Sequence, residues 1–527
     1  MRSGALTLSR AGGGSTAERR HGWSRIVPIV LLYAVAGGFG LAVAYRLPWV
    51  GDTGLHLAVI EQLSRNLTHP PDPLVGADAP SPYYSPYALG QALLMRGTGL
   101  GGLPVLRLFA VVNALLLATG VHHVVRRLSR APWAPLFALL AIVLLNGTAV
   151  LIWSGYYGLT SMTVTLFYPS TFALAVTLHL WGLVAWLLPT GTPRTGRSRW
   201  WAYPVVGLLA ADVALDHQFT AIGAALGCLA LFAHRARYLT LRQVAGWAVA
   251  VAVAVAAVAA WPYFSILSLA GSPNELDRIH ERLYSHIFEI YGIGLLTGLP
   301  VLAVRFWRSR TDPLVLLAAF SAVLVGYGLV SGHDAWGRAW PMVLLAGQLA
   351  LGVELATLLA ARATRALRPV RVYAVTAALV ALLMGGWAQI GILTYFVPLP
   401  ARLTHQMEIK GDWGHYAWFT RYVRPGETVL TDTFHALRMV PAYRVFTVMP
   451  AYPEPWLASE RQRRADTAAM LARHTLAAER DRLFARYHVR WIITYPSRAL
   501  RMRAAGVHLT TVAHSPTYPR DGLYLLR

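Results

Sequence analysis

Residues Trp49–Tyr87 read WVGDTGLHLAVIEQLSRNLTHPPDPLVGADAPSPYYSPY, and this stretch decides how the rest of the chain is read. It follows directly on an apolar run near 26–47 and opens on Asp52, about one residue beyond the point where a membrane span should end. It then carries His56, Glu61, His69, Asp72 and Asp78 and closes on a tyrosine–proline cluster. A loop this long and polar, set against apolar segments, points to chemistry at a membrane surface.

The 527-residue chain is 56% hydrophobic and 13% charged, against about 25% charged in an average soluble domain. Windows of more than about 18 residues lack any charge, which is the mark of transmembrane helices. About eleven segments qualify, near 26–47, 103–125, 133–152, 163–188, 202–216, 218–233, 243–269, 287–304, 313–330, 341–361 and 372–396. The fifth and sixth are short and meet at Asp216-His217-Gln218, as in a helical hairpin. The weak ten-residue alternation of a membrane β-barrel is absent from the sequence. The fold class expected is a polytopic α-helical membrane protein with about 11 transmembrane helices and a small C-terminal α/β extracytoplasmic domain.

Arginine sets the orientation. With the N-terminus inside, every even-numbered connection is basic: Arg126, Arg127 and Arg130; Arg194, Arg197 and Arg199; Arg235, Arg237 and Arg242; Arg305, Arg308 and Arg310; Arg362, Arg365, Arg368 and Arg371. Asp312 is the only acid read near them. Asp52–Tyr87, Trp153–Met162, Asp216–Gln218, Gly271–His286 and Ser331–Trp340 then lie outside. Residues 1–22 read as a disordered cytoplasmic N-terminus, 23–396 as the membrane module with a long first outer loop at 48–102, and 397–527 as the outer domain. In that domain Thr428–Thr431, Tyr443–Val448, Val489–Thr494 and Leu523–Leu526 read as strands, and Ala458–Arg473 and Ala477–Tyr487 as helices. The net charge of +23 is accounted for by this topology, so no nucleic-acid partner is expected.

Thr53–Arg65 has Leu55, Ala58, Val59 and Leu63 at helical spacing, which predicts an amphipathic helix along the membrane surface. Asp52 caps that helix, acts as a general base, or does both. His56 shares its helix face and orients the carboxylate, contacts a phosphate or sits solvated at the interface. Tyr83, Tyr84 and Tyr87 suit either stacking on sugar rings or an aromatic membrane belt. Asp72 and Asp78 read as solvated turn residues. Asp216, His217 and Gln218 form a second polar centre at the level of Asp52, with capping of a helix break as the plain alternative. Arg338, flanked by Trp336 and Trp340, either grips a lipid-linked phosphate or pairs with Asp334; His333 and Asp334 would line the same cavity. Trp153, Tyr156 and Tyr157 read as interface aromatics. The loop with Glu275, Asp277, His280, Glu281 and His286 reads as a gate. Lys410 is the only lysine, which excludes a P-loop, and Cys228 is the only cysteine, which excludes an internal disulfide or a cysteine metal site.

These parts together resemble the GT-C superfamily of integral membrane glycosyltransferases. The resemblance is carried by Gly51-Asp52 at the start of the long loop, its Pro/Tyr segment and the hairpin Asp216-His217-Gln218. Arg338 before a late span and a C-terminal domain containing RLFARYHVRWIITYP and DGLYLLR complete it. It implies transfer of a sugar from a polyprenyl-phosphate donor to a glycan or lipid acceptor at the outer face of the plasma membrane, with inversion. Asp52 would then be the base, with Arg338 and His217 on the donor phosphate. Many relatives carry paired acids in this loop, whereas Gly51 precedes Asp52 here. No cofactor is expected, and a divalent metal is left open. With a composition typical of a GC-rich genome, the resemblance implies an actinobacterial cell-wall or lipoglycan enzyme using arabinofuranose or mannose. The competing class is a transporter or a lipid-linked-saccharide flippase, which would show internal repeats and mid-membrane sites.

Overall fold

A computed structural model describes residues 16–189, 199–266, 279–361, 364, 367–397, 400, 402, 416–518 and 520–527. Arg2, Arg10, Arg194, Arg197, Glu275, Asp277, Arg362, Arg365 and Lys410 lie outside the described residues, as do most of the stretch expected to be disordered and the start of the C-terminal domain.

The first helix, α1 (Thr16–Arg46), begins earlier than its apolar run, because Ala17, Glu18, Arg19 and Arg20 are good helix formers. The loop after it holds α2 (Thr53–Arg65) and α3 (Pro86–Thr98). Then come α4 (Gly102–Leu128), α5 (Ala134–Leu144), α6 (Leu159–Thr165), α7 (Pro169–Leu187), α8 (Ala202–Asp216), α9 (Gln218–Arg235) and α10 (Leu241–Ala259). The membrane module closes with α11 (Ile287–Arg308), α12 (Pro313–Ser331), α13 (Trp340–Ala360) and α14 (Leu367–Gln389). Among the described residues, eight helices are long and apolar enough to cross a membrane, fewer than the eleven segments expected. The chain is a multi-pass helical membrane protein.

The difference has local causes. Helix α5 stops at Leu144, where Asn146-Gly147 follows. From there the chain runs extended against the start of α11, with Ala149 N donating to Glu289 O (2.7 Å) and Gly294 N to Asn146 O (2.8 Å). The segment 163–188 is split by Tyr168-Pro169, since proline starts a helix readily but leaves the residue before it extended. Helices α8 and α9 are the short polar-ended hairpin read from the sequence. On the arginine-rich face, Arg305 joins Asp312 and Glu354 (2.7 Å each) and ties α11, α12 and α13 together, so Glu354 is a second acid there.

Helix α2 has the span expected of it but not the setting. Leu55, Leu57, Ala58, Val59, Ile60 and Leu63 are all buried, so it is covered on more than one side and does not lie bare on a membrane. It packs against α3 and α4 on one side and against the C-terminal domain on the other.

That domain is built on five strands: β1 (Thr428–Leu430), β2 (Phe446–Thr447), β3 (Val489–Thr494), β4 (Leu509–His514) and β5 (Gly522–Leu526). They are ordered β2-β1-β3-β5-β4. Strands β2, β1 and β3 run parallel, while β5 pairs antiparallel with both β3 and β4. Helices α15 (Phe434–Met439), α16 (Glu460–Leu471), α17 (Ala477–Arg486) and α18 (Pro496–Ala504) connect them. Strand β4 and helices α15 and α18 were not read from the sequence.

Candidate active site

Asp52 stands immediately before α2. Gly51 turns the chain into it with φ +59°, a conformation that favours glycine. The Asp52 backbone N–H donates to the Tyr168 hydroxyl (2.9 Å), and that hydroxyl donates to Val50 O (2.9 Å). The Pro169 helix break therefore supplies the support that fixes Asp52. The Asp52 side chain makes no cap to α2, although it occupies the cap position. Instead its Oδ1 accepts a hydrogen bond from the Tyr452 hydroxyl of the C-terminal domain. Its Oδ2 has no hydrogen bond among the described residues.

His56 lies one turn on, its ring 4.3 Å from that of Tyr168. Burial pushes His56 down to about 4, with Asp52 opposing the shift, so the imidazole is neutral at pH 7. Tyr83 is half-buried, and its hydroxyl lies within electrostatic reach of Glu454 and Asp52.

Arg338 and His217 form the second half of the site. The Arg338 Nε donates to His280 Nε2 (2.8 Å), and Nη1 donates to Ser154 O. The guanidinium lies 4.6 Å from the Phe219 ring and 5.3 Å from the Trp153 ring. It has no carboxylate at ion-pair distance among the described residues, so the pairing with Asp334 is not formed. Gly155 closes the gap: a Cβ there would sit 3.2 Å from His217 Cε1 and 3.9 Å from Arg338 Nη1. Thr220 N donates to His217 Nδ1 (3.2 Å), which leaves the ring proton on Nε2. Burial first, then Arg338 and His56, push His217 down to about 3. The neutral ring is a hydrogen-bond donor without charge. Asp52 is within electrostatic reach of Arg338, and His56 of His217, which brings the two halves to one site.

The other candidates stand elsewhere. Asp216 is buried and accepts from Tyr87 N (2.9 Å), pinning the start of α3 to the α8–α9 hairpin. Gln218 is half-buried and makes no side-chain hydrogen bond among the described residues. Tyr84 is 1% exposed, donates to Pro71 O and packs on Tyr263, so it braces the loop. Tyr87 is buried and donates to Phe167 O (2.8 Å). His333 precedes the short turn Asp334–Ala339, where its N–H donates to Ser331 Oγ (3.4 Å).

Two expectations are corrected. Asp72 is not solvated; it is fully buried and its Oδ1 accepts from Leu74 N (2.9 Å) and Val75 N (2.8 Å). Its Oδ2 and Glu454 Oε2 are both buried with no hydrogen-bond partner among the described residues, and the two carboxyls act on each other. A single proton shared between the two carboxyls would satisfy both, and burial raises both from their ordinary values, Glu454 well above. Tyr156 and Tyr157 are 5% and 4% exposed and belong to the interior, not to a membrane belt.

His280, Tyr168 and Tyr452 were missed as site residues. His280 fell in a loop read only as a gate, and nothing in the sequence joins positions 400 residues apart. No group of three or more metal-capable side chains gathers among the described residues.

No family model matches the chain, and no curated protein matches its sequence. Solved structures do match. ArnT from Cupriavidus metallidurans bound to undecaprenyl phosphate aligns with a TM-score of 0.56 at 14% identity, over 96% of this chain and 98% of that one. The Archaeoglobus fulgidus oligosaccharyltransferase tethered with an acceptor peptide aligns at 0.51 and 11%, over 96% and 74%. The arabinofuranosyltransferase AftD from Mycobacteria aligns at 0.55 and 17%, over 94% of this chain but only 40% of that one. With its membrane helices, long first loop and C-terminal sheet domain, this chain has the fold of the GT-C membrane glycosyltransferases.

Proposed function

We propose that the protein transfers a sugar from a polyprenyl-phosphate donor to a cell-envelope glycan or lipid acceptor, on the extracytoplasmic side of the membrane. The observation that carries this reading is the placing of a supported carboxylate within electrostatic reach of an arginine that has no carboxylate at ion-pair distance among the described residues. The C-terminal domain and Asp52 then face outward and the N-terminus lies in the cytoplasm, in keeping with the arginine distribution.

In this mechanism the acceptor O–H faces the open Oδ2 of Asp52. The acceptor oxygen attacks the anomeric carbon from the side opposite the phosphate, and Asp52 takes its proton. The bond from the anomeric carbon to the phosphate oxygen breaks, which inverts the centre. Arg338 and the Nε2–H of His217 receive the charge that develops on the leaving lipid phosphate. Tyr83 lines the acceptor side, and His56 keeps a neutral donor beside the base. Asp216 holds the hairpin that presents His217. The undecaprenyl phosphate of the ArnT structure supports the choice of donor class. Arabinofuranose and mannose are the donor sugars to test first.

The test is Asp52→Asn, purified in detergent and assayed with polyprenyl-phosphate sugars. Loss of the general base should lower transfer by roughly 10²–10⁴-fold while thermal unfolding stays cooperative. Undiminished transfer by this variant would sink the mechanism.

A further inference from the structure

The base is held by a residue from outside the membrane module. We propose that Tyr452, fixed by Arg438, is a positioning residue for Asp52, so that the C-terminal sheet domain completes the active site. This rests on the reading of Asp52 as the base.

The direction of the hydrogen bonds is set by chemistry. Arg438 Nε donates to the Tyr452 hydroxyl oxygen (3.0 Å), and an arginine can only donate. The single hydroxyl hydrogen of Tyr452 is therefore left for Asp52 Oδ1. One carboxylate oxygen is anchored, and Oδ2 is left for the acceptor. Burial holds the Tyr452 hydroxyl well above its ordinary range, so it remains a donor at any working pH.

Both partners are themselves held. Arg438 lies 3.8 Å from the Phe434 ring and 4.6 Å from the Tyr452 ring. Its backbone abuts α2 at Gly54, two residues after Asp52, where a Cβ would fall 2.1 Å from Arg438 O. Only glycine lets the two segments meet there. Arg464 Nη2 donates to Tyr452 O (2.9 Å). Two residues further on, Ser81 Oγ donates to Glu454 Oε1 (3.0 Å), which fastens the Tyr452 segment to the first loop.

The experiment separates kcat from KM in the full chain in detergent. Tyr452→Phe keeps the ring and removes the anchor. It should lower kcat by roughly 10–100-fold, the scale of a misplaced reacting group, with donor KM within about twofold. Arg438→Gln, which removes the charged donor behind Tyr452, should lower kcat in the same sense and serves if Tyr452→Phe proves too unstable to purify. A stabilising role alone would lower the melting temperature and spare kcat. Unchanged kcat in a folded Tyr452→Phe protein, with Asp52→Asn inactive, overturns this proposal and leaves the base reading standing. An active Asp52→Asn overturns both.

Discussion

Arg338 offers the sharpest test of the donor site. Its guanidinium has five N–H donors. One goes to His280 Nε2 and one to Ser154 O, so three remain for a ligand. Two charge-assisted bonds to phosphate oxygens are worth about 1.5–3 kcal/mol each. Arg338→Ala should therefore cost about 4 kcal/mol, or roughly a thousandfold in kcat/KM at 1.36 kcal/mol per decade. Arg338→Lys keeps the charge but loses the planar fork that holds His280, Ser154 O and a phosphate together. It should forfeit about one of the two ligand bonds, near 2 kcal/mol or roughly 30-fold. The assay is initial-rate transfer from a labelled polyprenyl-phosphate sugar in detergent, with a melting curve for each variant. A lysine variant within threefold of wild type, or an alanine variant that loses under tenfold, refutes the phosphate-gripping role.

Three further outcomes are expected. Gly155→Ala places a methyl 3.2 Å from His217 Cε1 at a backbone φ of +83°, and it should lower transfer by roughly tenfold or more, since strain of about 1–3 kcal/mol enters the donor site. Glu454→Gln should fold normally and flatten stability on the alkaline side. The wild-type pair is raised from its ordinary values, so its contribution is full at low pH and is lost as pH rises through the folded value. Thermal unfolding between pH 6 and 9 checks this, and an identical slope in both proteins refutes the shared proton. His56 and His217 are lowered from 6.5 to about 4 and about 3, so the folded state binds fewer protons than the unfolded chain as pH falls below 6.5. The stability these two histidines contribute is full above pH 6.5 and is lost as pH drops toward 4. His217→Asn should weaken that loss, as read by melting temperature against pH.

Much of the site was legible one residue at a time. Asp52 stood out because a carboxylate at the end of an apolar run is costly to place there without a reason. His217 stood out as a polar group between apolar segments and Arg338 as a lone arginine in an outer loop between two tryptophans, and they do meet around Gly155. Asp216 shared that signal yet serves to hold α3, because one polar run on a tight hairpin sends neighbouring side chains in different directions. Tyr83 and Tyr84 are adjacent and look alike, but one is half-buried and the other is sealed beneath Pro71.

Composition and periodicity by themselves determined the membrane class, the position of α2, the hairpin at Asp216–Gln218 and the sheet core of the C-terminal domain. These depend on local properties: hydropathy, helical spacing and β-branched runs. What only the tertiary structure decided was the company those residues keep. The sequence marks Asp72 as a polar turn residue, and folding buries it against Glu454. It marks α2 as a surface helix, and the C-terminal domain covers it through a contact that Gly54 permits. It offers no sign that Tyr452 reaches Asp52 from 400 residues away. Such contacts arise when packing closes long loops, and no local pattern in the chain encodes which partner will be met.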